Sequence, residues 1–247
     1  MNNFIYGFFY PFRCIKLFFR YPKLIGYSIV PLIINLIIYG TIFFYSFSRI
    51  TGLSEDFISN NVSDKLILEI IKLFLNVFIF LLVLIFCYFM FVILGGIISA
   101  PFNEKISRYI EENVFGEQSG FNLPFFKDAF ASIRAELKKL LFYFSIIIPL
   151  LLIDFIPMIG SVITLVFGTG FSFYYNALDY MDYPMTRRMK GFRVKLKTVN
   201  SQMMLSMGFG GISFILTFLP VINVLLNPIL VTAGTSLYYE KKYDKAS

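Results

Sequence analysis

The chain has 247 residues, 57% of them hydrophobic and 19% aromatic, and a formal net charge of +7 with no histidine. With a mean hydropathy of +0.74, this composition excludes an ordinary soluble domain and identifies an integral membrane protein. Without histidine the chain lacks the commonest metal ligand and general base, and two cysteines, Cys14 and Cys87, make no disulfide framework. Neither an enzyme, a cofactor nor a metal site is expected.

The distribution of charge predicts a topology and not a nucleic-acid surface. Arg13, Lys16, Arg20 and Lys23 precede Leu24 with no acid among them, which puts the N-terminus in the cytoplasm. Between the first two apolar stretches Arg49, Lys65 and Lys72 are outweighed by Glu55, Asp56, Asp64 and Glu69, and that loop reads as external. The cations of 102–139, those of 179–197 and those beyond Tyr239 read as cytoplasmic again, with lipid headgroups as their neighbours.

In chain order, Phe8, Phe12, Ile15 and Phe19 share one face opposite Arg13, Lys16 and Arg20, so 1–23 reads as an interfacial helix. Its charges and the lack of a small-residue cleavage site do not fit a cleaved signal. Residues 24–48 carry no charge and suffice for one span of about 20 residues. Residues 73–100 form a longer span, with Gly95-Gly96 permitting a bend and Pro101 predicted to break the helix. Phe102, Ile106, Ile110 and Val114 then mark a second interfacial helix, and Phe126, Phe130, Ile133 and Leu137 a third.

The third leads into an apolar hairpin over 140–178, turning at Phe155-Ile156-Pro157-Met158-Ile159-Gly160. At about 1.5 Å per residue, Leu140–Ile153 reaches roughly 21 Å, short of a hydrocarbon core of about 30 Å. A second apolar hairpin over 198–239 turns at Phe218-Leu219-Pro220-Val221-Ile222-Asn223. Each unit reads as a basic amphipathic segment, an apolar arm, Phe-x-Pro-x-Ile, a return arm and Tyr-Tyr, two equivalent members of one repeat of the kind transporters use. Neither tip offers polar residues to an external aqueous phase, which favours re-entrant hairpins over two further pairs of full spans. Snorkelling of Lys138 and Lys139 is the argument for the spanning alternative.

Several short motifs then resemble, in order and spacing, the CysZ-type sulfate permeases and the wider etoposide-induced-protein domain family. They are Asn35 after Pro31-Leu32, Ala100-Pro101-Phe102, Tyr180-Met181-Asp182-Tyr183-Pro184, Phe192-Arg193, Gly208-Phe209-Gly210, Pro220, Asn223, Pro228 and Ala233-Gly234-Thr235. The likeness covers nearly the whole chain as a single domain, 1–247. It implies an all-α polytopic membrane protein with two long transmembrane helices, two partly inserted helical hairpins and cytoplasmic amphipathic helices. It also implies a homo-oligomer in a bacterial inner membrane, both termini cytoplasmic, that takes up a small inorganic anion, sulfate, for cysteine synthesis. The contrasting class is a non-transporting scaffold or lipid-associated protein of the same domain family. Where the sulfate permeases tend to carry Pro-Gly-(Ile/Leu)-Arg-Arg, a segment associated with anion contact, this chain reads Pro22-Lys23-Leu24-Ile25-Gly26. The arginine pair is missing, and a lysine point charge does not reproduce a bidentate guanidinium fork.

Lys23, Leu24, Ile25 and Gly26 are the anion candidates on that resemblance. Asp154, the one charged residue in either hairpin, is a candidate for proton or cation coupling, because an intramembrane acid is costly. Gly168, Gly170, Gly208 and Gly210 are candidates for presenting backbone N–H groups to an anion at a broken helix, against the alternative of close helix packing. Asn35 and Asn223 are candidates for a polar path, and Arg187, Arg188 and Arg193 for a basic cytoplasmic mouth. Asp179 and Asp182 are expected to pair with the arginines that follow them.

Overall fold

A computed structural model describes residues 2–61, 64–117, 125–189, 191–217 and 220–241. Every regular element among them is α-helical: α1 (Asn2–Arg20), α2 (Pro22–Asn61), α3 (Lys65–Val114), α4 (Phe125–Ile153), α5 (Gly160–Arg188), α6 (Phe192–Ser201), α7 (Met203–Thr217) and α8 (Pro220–Glu240). By length and composition α2 and α3 are the two helices able to cross a membrane. The chain divides into two compact units, one of Met1–Val30 with Ala100–Ser247 and one of Pro31–Ser99.

The smaller unit consists of the long arms of α2 and α3. Its core is thin: Ile79, Val83 and Cys87 packed by Phe43, Phe47 and Leu75. The Phe80 ring meets Phe43 and Phe47 edge-on at 5.4 and 5.9 Å. Outside that seam Leu36, Phe44, Leu53, Phe57, Leu66 and Phe74 are all about 70% exposed. So much apolar surface on a soluble protein would drive association, whereas acyl chains solvate it without cost.

Two expectations fail in these helices. The charged segment between the two apolar stretches is mostly helix, because α2 runs on through Arg49, Glu55 and Asp56 to Asn61 and α3 begins at Lys65. Pro101 does not break α3, which continues to Val114 and absorbs the anticipated second interfacial helix. A proline in a buried or membrane helix is tolerated where neighbouring groups satisfy the freed carbonyl, so the break inferred from sequence is not obligatory. The third amphipathic stripe is likewise the first half of one continuous helix, α4.

The larger unit is built around α7 and α8. From Leu205 to Ser213 α7 is mostly buried, and α8 is buried from Pro228 to Tyr239. Helix α7 packs on α1 and α5, and α8 on the same two helices. Small residues set these distances. A methyl group on Gly208 would lie 2.0 Å from the Phe4 carbonyl oxygen, one on Gly210 1.8 Å from that of Phe173, and one on Gly234 2.5 Å from that of Tyr180. Backbone therefore meets backbone across α1–α7, α5–α7 and α5–α8. Tyr10 donates to Glu240 at 2.6 Å and Tyr6 to its other carboxylate oxygen, tying α1 to the end of α8.

The arms of the second hairpin contribute the core of the unit, while the first projects an apolar tip. The second turn, at Phe218-Leu219, lies outside the described residues, as do the side chains of 220–225. Phe155 is 85% and Met158 94% exposed, and Ile156, Ile159, Val162 and Leu165 are exposed with them. The turn itself is tight. Met158 adopts φ 68°, and a side chain at Gly160 would lie 2.2 Å from the Ile153 carbonyl, so only glycine lets α5 start this close to the end of α4.

Gly210→Ala is expected to destabilise the protein by about 1–3 kcal/mol through overpacking against Phe173. Gly168→Ala, at a helix position where a methyl group meets nothing within 4 Å, is expected to be neutral or slightly stabilising. Thermal unfolding of the two variants in one detergent checks the contrast.

Candidate functional site

The first turn of α2 begins at Pro22, a residue whose missing N–H costs nothing at that position. Leu24 is fully buried and anchors the turn in the core, leaving Lys23 and Gly26 exposed and Ile25 half-buried. The Lys23 ammonium lies 5.9 Å from the centroid of the Tyr109 ring, which Tyr21 meets edge-on at 5.7 Å. Lys105 on α3 reaches to 6.0 Å from the Tyr27 ring, one turn further along α2. The Leu24 N–H at this start donates to the Tyr21 carbonyl at 3.0 Å, and the positive dipole end and the two lysines are what suit the turn electrostatically to an anion.

Farther along α2, Asn35 is 5% exposed. Its amide N–H donates to the Pro31 carbonyl at 2.9 Å and approaches the Ser99 hydroxyl at 3.4 Å, while its Oδ1 has no hydrogen-bond partner among the described residues. Tyr39, one turn on, donates to the Met90 carbonyl at 3.2 Å. A buried, unsatisfied amide oxygen in an apolar helix pair is a costly feature.

The dominant polar feature of the larger unit lies at the base of the first hairpin. Lys139 on α4 is 1% exposed, yet its ammonium pairs with Glu136 at 2.8 Å and with Asp179 on α5, and lies 4.0 Å from Asp182 and 4.8 Å from the Tyr183 ring centroid. Lys195 on α6 closes the cluster on Asp182 at 2.6 Å and Thr186 at 2.7 Å. Asn103 on α3 donates to the Tyr183 hydroxyl at 3.0 Å. Burial works against the Lys139 ammonium, but Asp179, Glu136, Tyr183 and Asp182 together hold its pKa well above the usual lysine value. Burial raises the Glu136 carboxyl to about 7, with Lys139 opposing the shift and Asp179 and Asp182 adding to it. Three carboxylates face two ammonium groups here, so one carboxyl is the natural place for a proton.

A second cluster sits one turn along α5. Arg187 donates to Glu111 at 2.8 Å, to Ser107 at 2.9 Å and to Glu104, while Arg188 donates to Glu111 at 3.0 Å and Glu117 at 3.1 Å. The Tyr239 hydroxyl donates to Glu111 and Thr235 to Ser107 at 2.9 Å, bringing α8 into the same network. Burial disfavours the Arg187 guanidinium, and Glu104 and Glu111 outweigh it, so its pKa is raised.

The sequence-derived candidates therefore fall in several environments. Lys23, Leu24, Ile25 and Gly26 share the helix start, and Asn35 lies within the smaller unit. Asp154 is exposed at the apolar tip with no partner for its carboxylate among the described residues. Gly168 and Gly170 lie in the continuous helix α5 with open space beside them, and Gly208 and Gly210 in the continuous helix α7 against neighbouring backbone. Packing, and not a helix break, accounts for the second pair. The side chain of Asn223 lies outside the described residues. Arg187 and Arg188 are committed to carboxylates, and Arg193 is exposed. Asp179 and Asp182 pair with Lys139 and Lys195 instead of the arginines that follow them. Glu104, Glu111 and Glu136 were not among the sequence candidates, and the only hint of them was the mixed charge of otherwise amphipathic segments.

A family model described as sulfate transporter CysZ/etoposide-induced protein 2.4 matches residues 10–228. The chain belongs to this family. The sulfate transporter CysZ of Pectobacterium atrosepticum is 29% identical over 240 residues, covering 96% of this chain and 84% of that protein. Proteins of the same name from Salmonella typhimurium and Pseudomonas aeruginosa are 28% and 26% identical, over 89% and 94% of this chain and 86% and 94% of theirs. The CysZ family match thus spans both long helices, the first hairpin with the cluster at its base, and the second hairpin as far as Pro228.

Lys139→Ala leaves three carboxylates at the hairpin base with one ammonium and is expected to cost about 3–5 kcal/mol. Glu136→Gln acts differently. A carboxyl whose folded pKa exceeds its unfolded value binds its proton more tightly when folded, so its contribution to stability falls as pH rises from about 4.5 to about 7 and is constant above. The melting temperature of the glutamine variant relative to wild type is therefore expected to rise across that window and then level.

Proposed function

We propose that this protein is a permease for a small inorganic anion, sulfate, in a bacterial inner membrane, with a role in supplying sulfur for cysteine synthesis. The observation that carries this reading is similarity, over most of both chains, to bacterial proteins named sulfate transporter CysZ. An enzyme reading has no support from the family, and the scaffold alternative is the less favoured one.

The first turn of α2 is the proposed point of anion contact, with Lys23 supplying the exposed charge and the helix start the positive dipole end. A single lysine in place of an arginine pair predicts a weaker and less geometrically selective contact. Asn35 is the proposed polar position deeper along the path, and Asp154 the proposed acidic group at the hairpin tip. Arg193 is the proposed cytoplasmic cation near the mouth, since Arg187 and Arg188 are occupied by Glu104, Glu111 and Glu117.

The first hairpin is proposed to be re-entrant. Supporting this, Lys139 is locked into the ion cluster at its base and is not available to snorkel, so the α4 arm offers only about 21 Å of apolar helix. Both termini are proposed to be cytoplasmic, with α1 in the plane of the membrane interface and a homo-oligomer as the working assembly.

Purified protein in liposomes is expected to take up labelled sulfate above empty vesicles. Lys23→Gln is expected to raise the half-saturating concentration about tenfold, the equivalent of one charge-assisted hydrogen bond. Uptake no greater than in empty vesicles, for sulfate and for sulfite alike, contradicts the permease reading.

A further inference from the structure

The circumference of α1 is divided into three parts. Gly7, Tyr10, Cys14 and Phe18 are buried against the body of the larger unit. The outward surface splits along its length. Ile5, Phe12 and Phe19, at 48%, 47% and 60% exposure, form an apolar flank, and Arg13, Lys16 and Arg20 form a cationic flank beside it. No acidic residue occurs anywhere in the helix.

The three cations are not equivalent. Arg13 is stacked on the Tyr6 ring at 4.6 Å, and Tyr6 in turn binds Glu240, so its charge already has a carboxylate nearby. Lys16 and Arg20 lie one turn apart on the same face, both exposed, and neither has an ion pair or hydrogen bond among the described residues. A phenylalanine side chain lies beside each of them.

We propose that this flank of α1 is a docking surface for anionic phospholipid, with the lipid phosphate between Lys16 and Arg20 and the acyl chains against Phe12 and Phe19. Charge complementarity selects the anionic headgroup. The ridge of exposed phenylalanines beside the cations selects a lipid over a soluble phosphate, which has nothing to place there. A neutral phosphocholine headgroup presents its own cation and gains little from the lysine–arginine pair.

The position of α1 gives the contact a consequence. The Gly7 backbone is in direct apposition to Leu205, and Phe4 to Gly208, so α1 and α7 move as one body. A lipid that holds α1 therefore holds the central helix of the larger unit. The inference rests on the membrane reading of the chain but is independent of which solute it carries.

The test is the melting temperature of the full chain in neutral detergent with added phosphatidylglycerol, phosphatidylcholine or glycerol 3-phosphate. Phosphatidylglycerol is expected to raise it by about 4–8 °C more than phosphatidylcholine, two surface charges each worth a few degrees in a chain of this size. The excess should shrink as salt is added. Lys16→Gln with Arg20→Gln should abolish the excess and leave the melting temperature in neutral detergent unchanged, while Lys16→Arg with Arg20→Lys should retain it. Equal shifts from both lipids, an excess that survives the glutamine pair, or an equal shift from glycerol 3-phosphate would each overturn the proposal. If the glutamine pair does not fold, the lipid comparison and its salt dependence on the wild type still decide. None of these readouts depends on solute flux, so a failed uptake assay leaves the result standing.

Discussion

The ammonium of Lys139, nearly sealed from solvent, is the constraint on which the arrangement of the larger unit depends. A lysine so deeply buried stays charged only while carboxylates surround it, and those carboxylates come from two helices, Glu136 from α4 and Asp179 and Asp182 from α5. Lys195 brings in α6 through Asp182. Three helices are thereby fixed at one level along the hairpin, and beyond that level the exposed side chains of α4 and α5 are uncharged and mostly apolar. The same cluster marks the base from which the first hairpin projects.

Electrostatics at the base and glycines in the middle divide the work. The close backbone approaches at Gly208, Gly210 and Gly234 pack α7 and α8 into a rigid centre, with α1 across it. The second cluster, around Arg187 and Glu111, joins α3, α5 and α8 by a different set of partners. Both networks are buried and nearly complete, so a charge lost from either leaves an unbalanced group behind. Among the described residues, positions with unmet electrostatic capacity lie elsewhere, and they include Lys23 on the first turn of α2, the Oδ1 of Asn35, Asp154 on the hairpin tip, and Lys16 and Arg20 on α1. That separation of structural from available charge is what narrows the search for an anion path.

Much of the architecture was legible in the sequence because it rests on composition and period. The helical class, the two long apolar helices and the amphipathic face of α1 follow from where charges are absent and how phenylalanines recur. Pro101 misled, since a local preference against helix was overridden by the continuity of a long packed helix, as was the charged segment that extends α2 to Asn61. The repeat was legible as a string of residue types, but nothing in that string shows that the arms of the second hairpin form the core of the unit. The ion clusters were largely invisible, because Lys139 and Asp179 are forty positions apart and a lone lysine beside an apolar stretch reads as an interfacial anchor. The missing arginine pair, by contrast, was visible in sequence alone, and the exposed Lys23 is consistent with a weakened form of the same contact.

The most direct test of the account concerns the first hairpin, which on the re-entrant proposal does not emerge on the far side. Met158→Cys, in a chain with Cys14→Ser and Cys87→Ser, places a thiol at the outermost point of the tip. In intact cells it should resist a membrane-impermeant maleimide applied from outside and react with a permeant one, while Asn60→Cys in the last turn of α2 reacts with both. Labelling of the Met158→Cys thiol by the impermeant reagent at the rate seen for Asn60→Cys would mean that the hairpin spans the membrane, and would contradict the role assigned to the cluster at its base.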